Sequence, residues 1–173
     1  FKKCVPVIYA NEHYLINYAK KTLNQVPNLN IINNSEIKEN TINVFNVWNE
    51  KINIKFGVFE KEKSNMSLMS LDCAVKDYKQ KKIKGLITLP INKNVFVNKK
   101  IVGHTEYLSS IFKNHSPLMM MCKDKLKVSI ATTHIPVKDI VKKISKKIIK
   151  EKIEILNKSL KKDFKIKKPK IAI

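Results

Sequence analysis

The residues best suited to chemistry fall in two short clusters. Gly103, His104, Thr105 and Glu106 form one; Thr132, Thr133, His134, Ile135 and Pro136 form the other, with His134 thirty positions after His104 (134 − 104). An imidazole beside a hydroxyl offers two donors to an anionic ligand, and a neutral imidazole is a suitable ligand for a divalent cation. The same residues have plainer uses. His104 and Thr105 also fit a helix-cap pair with Gly103 permitting a tight turn, and a single histidine at a strand end is more often a hydrogen-bonded structural residue than a ligand. For His104 and Thr105 the spacing to His134 favours the chemical reading. Each reads as a turn where a buried strand gives way to a helix, the place where open α/β sheets gather ligands and helix N-termini meet anions.

Alternating strands and helices are what would hold two such turns in place. Residues 5–10 are an apolar run of strand length, Asn11 follows as a cap, and Leu15, Tyr18, Ala19 and Leu23 recur at helical spacing. Residues 29–60 alternate polar with β-branched residues, among them Ile31, Val44, Ile52, Ile54 and Phe56, which suggests two or three short strands between Asn-rich turns. Leu68, Leu71, Val75 and Tyr78 predict a helix from Ser64 to Lys84, stopped by Gly85 before a strand over 86–89 that Pro90 closes. In the second half, Thr105 caps a helix carrying Leu108, Ile111 and Phe112, and strands follow over 118–122 and 128–132. Pro136 suits a first helical turn. Ile149, Ile153, Leu156 and Leu160 mark a lysine-rich helix over about 145–164, and residues 169–173 read as a last strand.

Composition narrows the function classes. The 173 residues carry Lys+Arg 35 against Asp+Glu 14, a formal charge of +21. A nucleic-acid or membrane-surface partner is the reflex inference from such a charge. Every one of those cations is lysine. The bidentate guanidinium that reads guanine edges is missing, so the excess reads as compositional drift on solvated faces, in step with abundant Asn and Ile and scarce Gly, as an A/T-biased coding sequence would give. Neither a specific nucleic acid nor a membrane is expected as a partner. The apolar runs fall well short of the roughly 20 residues a membrane helix needs. Cys4, Cys73 and Cys122 are odd in number and lack any CxxC pair, so a disulfide framework and a zinc knuckle are both unsupported, and a cytoplasmic setting with reduced thiols is expected. His13 and His115 read as surface residues, Met119, Met120 and Met121 as core filling, and the lysines over 142–152 as a solvated helix face.

Four motifs, in order, carry a family resemblance. Gly85-Leu-Ile-Thr-Leu-Pro-Ile-Asn-Lys93, Gly103-His-Thr-Glu-Tyr-Leu108, Met119-Met-Met and Ala131-Thr-Thr-His-Ile-Pro136 resemble the 4-hydroxythreonine-4-phosphate dehydrogenases, enzymes of vitamin B6 biosynthesis. The resemblance is close from about residue 64 onward. It implies an α/β fold of three-layer α/β/α type, similar to isocitrate and isopropylmalate dehydrogenases, with residues 1–63 a diverged part of the first domain and 64–173 part of the second. It also implies a homodimer whose active site lies at the subunit interface, a phosphorylated small-molecule substrate, NAD or NADP, and a divalent cation (Zn, Mg, Co or Mn). By the same resemblance His104 and Thr105 contact the substrate, His134 is a metal ligand, and Lys93 lies near the cleft.

Those implications agree with the chemistry expected of the residues. Hydride transfer from a secondary alcohol to a nicotinamide is helped by a cation at the alcohol oxygen, and the resulting 3-oxo acid loses CO2 readily. One histidine does not hold a catalytic ion, since such sites use about three protein ligands. The family's other metal histidines, its later substrate-binding residues and its opening glycine-rich segment have no counterpart in these residues. Phe1 in place of a methionine and the apolar run 171–173 point the same way, to a fragment that is inactive by itself. A dehydrogenase of erythronate or threonate 4-phosphate, and a non-catalytic anion-binding remnant, are the alternatives.

Overall fold

The computed structural model describes residues 4–32, 36–51, 57–58, 60–99, 101, 103–113 and 116–173. Ile52, Ile54, Phe56 and His115 lie outside the described residues. The chain divides into two compact units, Phe1–Tyr107 and Leu108–Ile173.

The first unit is built on a parallel three-stranded sheet. Strands β1 (Val7–Ala10), β2 (Leu29–Ile31) and β3 (Ile42–Asn46) take the order β1-β3-β2, with Val7 opposite Asn43 and Leu29 opposite Ile42. β1 and β2 run parallel on either side of β3, and helix α1 (Glu12–Leu23) is the crossover that joins them. Asn11 caps α1 as its sequence position predicts, its Oδ1 accepting from the Tyr14 N–H at 2.9 Å. The Asn11 side chain is fully buried, and its Nδ2 donates to the Trp48 carbonyl at 2.6 Å. Asn43, equally buried in the central strand, donates to the Lys38 carbonyl and accepts from the Lys38 N–H and Asn30. Buried amides of this kind are tolerated because their groups are paired. Both asparagines are therefore structural.

Helix α2 (Lys61–Lys79) packs on β1 and on a 3₁₀ turn (Lys93–Lys99). Leu68, Leu71, Ala74 and Val75 of α2 form the core with Val44, Val95 and Phe96. α2 ends earlier than its sequence suggests. Lys81, at φ 61°, takes the left-handed position after the last turn, so the stop comes before Gly85, whose backbone is not left-handed.

Residues 86–89 are not a strand. They pair with no neighbour among the described residues, and Ile87 and Leu89 are 90% and 77% exposed; an apolar run becomes a strand only where a ladder partner accepts its backbone groups. The first cluster is accordingly preceded by the 3₁₀ turn instead of a strand.

In the second unit, β4 (Met120–Lys123) and β5 (Leu126–Ser129) form an antiparallel hairpin about Asp124 and Lys125, with Met121 opposite Val128. The sequence suggested two buried strands. Met119 and Met121 are instead exposed, because a two-stranded hairpin has no second layer against which to bury its apolar side chains among the described residues. β5 ends three residues before Thr132. Pro136 precedes the short 3₁₀ turn Val137–Asp139, which runs into α4 (Ile140–Lys143). Helix α5 (Lys146–Lys162) starts at Ser145, whose Oγ accepts from the Ile148 N–H. Its Leu160 is buried and Ile149, Ile153 and Leu156 are half-buried, while most of its lysines face water, as the periodicity predicts. Residues 169–173 form no ladder among the described residues, and Ile173 is 94% exposed.

Among the described residues, six other than glycine, Asn24, Asn40, Lys81, Asp124, His134 and Lys165, adopt left-handed backbone angles; Gly57 does too. Among the described residues no helix is long and apolar enough to cross a membrane.

Candidate active site

His104 is the first residue of α3 (His104–Ile111), so Gly103, not Thr105, holds the cap position. Thr105 sits one residue into the helix with its side chain exposed. Gly103 has no left-handed angle, and a Cβ there would meet only Glu106 Oε2 at 3.7 Å, an ordinary contact. The turn does not require glycine for its backbone.

What holds His104 is aromatic. Its half-buried imidazole meets the Phe96 ring edge-on, centroids 5.9 Å apart at 73°, and Phe96 is fully buried. Tyr107, three residues on and so on the same face of α3, lies 5.5 Å from that same ring. The Tyr107 hydroxyl donates to Asp72 Oδ1 of α2. Burial first, then the Asp72 carboxylate, pushes the Tyr107 phenol well above its ordinary range. A parallel link ties α2 to the sheet, the Tyr9 hydroxyl donating to Asp77 Oδ2 at 2.8 Å. Cys73 lies between the two aspartates on α2, and burial followed by their charges raises its thiol, which makes it a poor nucleophile. Lys93 opens the 3₁₀ turn with its side chain exposed.

The second cluster belongs to the second unit. After β5 the chain passes Thr132, half-buried, and Thr133 and His134, both exposed. His134 takes φ 56°, a left-handed backbone that histidine adopts more readily than most residues and that recurs at ligand-binding turns. Beside it lies a cleft of about 330 Å³ lined by Thr132, Thr133, Ile135, Lys143, Glu151 and Lys152. Lys152 also donates to the Pro117 carbonyl at 3.0 Å. The Ser129 Oγ near the end of β5 is buried without a hydrogen-bond partner.

No three His, Cys, Asp or Glu side chains among the described residues approach closely enough to hold a metal ion. His134 alone does not constitute a metal centre, and no chemical step is assigned to an ion on these residues. The Phe96, Tyr107 and Asp72 contacts were invisible to motif reading. Their one sequence signal is the three-residue spacing of Tyr107 from His104; Asp72 lies 35 positions away from its partner.

Known proteins share this sequence and fold. A 4-hydroxythreonine-4-phosphate dehydrogenase of Bacteroides thetaiotaomicron is 33% identical over 98% of the chain and 48% of its own length. One from Sulfurihydrogenibium sp. is 37% identical over 94% of the chain and 53% of its own length. The chain spans about half the length of the curated relatives it matches. A solved structure from Salmonella typhimurium, provisionally described as a 4-hydroxythreonine-4-phosphate dehydrogenase, superposes with a TM-score of 0.77 over 90% of the chain and 50% of that structure, at 20% identity. The α/β class expected from the strand and helix pattern is the fold observed. Because residues 2–173, both histidine clusters included, match the pyridoxal phosphate biosynthetic protein PdxA, the chain belongs to that family.

Proposed function

We propose that the protein of which these residues form a part oxidises 4-phosphohydroxy-L-threonine to 2-amino-3-oxo-4-phosphooxybutanoate in pyridoxal phosphate synthesis. NAD or NADP accepts the hydride, and the oxo acid then decarboxylates. The observation that carries this reading is the family match across residues 2–173, which takes in both clusters. His104 and Thr105 bind the phosphorylated end of the substrate: imidazole and hydroxyl donors stand on the first turn of α3, where the helix dipole favours negative charge. His134 is one ligand of a divalent cation, and its partners lie in the part of the family length that this chain does not span. The working unit is a cytoplasmic homodimer with its active site at the subunit interface. Residues 1–63 and 64–173 belong to the family's first and second domains.

The test is an assay of the full-length protein with 4-phosphohydroxy-L-threonine, following nicotinamide reduction with and without added divalent cation. Metal-dependent turnover supports the reading; turnover of erythronate or threonate 4-phosphate alone overturns the substrate. His134→Ala should lose bound metal and activity together, whereas unchanged metal content removes His134 from the site.

A further inference from the structure

The contacts around α3 assign a role that motif reading does not reach. An eight-residue helix is too short to be stable or fixed in orientation by its own hydrogen bonds, so its rotation about its axis is set by tertiary contacts. Two such contacts are on one face. Tyr107 is 5% exposed, its ring lies against Phe96 and its hydroxyl is tied to Asp72 on α2. His104 lies on the same face and leans on the same Phe96 ring. Phe96 is in turn fully buried, on a 3₁₀ turn that packs against α2.

We propose that Asp72, Tyr107 and Phe96 are positioning residues that fix the imidazole of His104 for the phosphorylated substrate: the Tyr107–Asp72 hydrogen bond sets the rotation of α3 and the Phe96 ring sets the tilt of the imidazole. This rests on the reading of His104 as a substrate-binding residue. Releasing the hydrogen bond removes one restraint on the rotation of α3, and His104, at the helix end, shifts with it. A donor displaced by about an ångström loses much of its effect on binding and rate.

Two independent readouts in the full-length protein test this. The first is the proton resonances of the His104 imidazole, assigned by their loss in His104→Asn and sensitive to the Phe96 ring current. The second is KM for the phosphorylated substrate compared with KM for the nicotinamide. Tyr107→Phe and Asp72→Ala should each shift the His104 resonances and raise substrate KM roughly tenfold, leaving nicotinamide KM in place. Asp72→Asn keeps an oxygen acceptor and should restore both readouts relative to Asp72→Ala. If Tyr107→Phe does not fold, the exposed Asp72 position gives the same two measurements. Unmoved His104 resonances in Tyr107→Phe and Asp72→Ala overturn the positioning role. Shifted resonances with substrate KM unchanged, in these variants and in His104→Asn alike, uphold the positioning contacts and reject substrate binding by His104.

Discussion

The amide of Asn11 clasps the backbone of Trp48, donating to its carbonyl at 2.6 Å and more distantly to that of Glu50 at 3.4 Å while its oxygen caps α1. One buried side chain thus joins the end of β1, the start of α1 and the loop after β3. Asn11→Ala strips the cap and leaves a buried carbonyl unpaired, a loss of about 2 kcal/mol or more. Urea unfolding should show it as a lower midpoint with an unchanged slope. Asn11→Asp, which keeps the cap acceptor but sets a carboxylate against the two carbonyls, should also destabilise.

Tyr9 and Tyr107 govern stability at high pH. Both phenols are raised above the ordinary tyrosine value of 10.0, by burial first and by Asp77 or Asp72 next. A group whose folded-state pKa lies above its unfolded one contributes fully below the unfolded value and loses that contribution as pH rises through the folded one. The contributions of these two phenols should therefore hold up to about pH 10 and fall beyond it. Tyr9→Phe should flatten part of that fall, measurable by denaturant unfolding across an alkaline series.

His104→Asn keeps a polar side chain of similar size but loses the imidazole's reach. A charge-assisted hydrogen bond of about 1.5–3 kcal/mol corresponds to roughly a 10- to 100-fold change in kcat/KM. Both KM and kcat should change, because the bound phosphate end positions the reacting carbon. Wild-type values of both would reduce His104 to a structural residue.

The 35 lysines make a separate prediction. Binding to duplex DNA should be weak, indifferent to sequence and steeply reduced by salt, with a log–log slope that counts the phosphates neutralised. A sequence-selective complex surviving physiological salt, in a mobility-shift titration, would contradict a metabolic role.

Local signals were readable where local physics decides. Asn11 announced its helix because a cap acts within three residues, and the α5 stripe of Ile149, Ile153, Leu156 and Leu160 announced its buried face. Strands were less readable, because an apolar run states readiness to pair without naming a partner. Residues 86–89 have the composition of a strand but no ladder, and the Met119 to Met121 run has the composition of a core but sits on an open hairpin. Of the site, the histidines were legible from their motifs. The Phe96 ring and the Asp72 carboxylate that hold α3 come from elsewhere in the chain, and only folding brings them to His104.

Left-handed residues tie composition to backbone strain. Lys81 and Lys165 occupy angles at which a Cβ is sterically penalised, in a sequence with Gly 3 in total. Each carries roughly 1–2 kcal/mol of strain that glycine would not, offset in part by the greater disorder of glycine in the unfolded chain. A drift toward A-rich codons, which favours lysine and asparagine over glycine, would thus lower stability at loop and helix ends without touching the core. Lys81→Gly and Lys165→Gly would recover part of that lost stability, making glycine restoration a route to a hardier protein that leaves both histidine turns as they are.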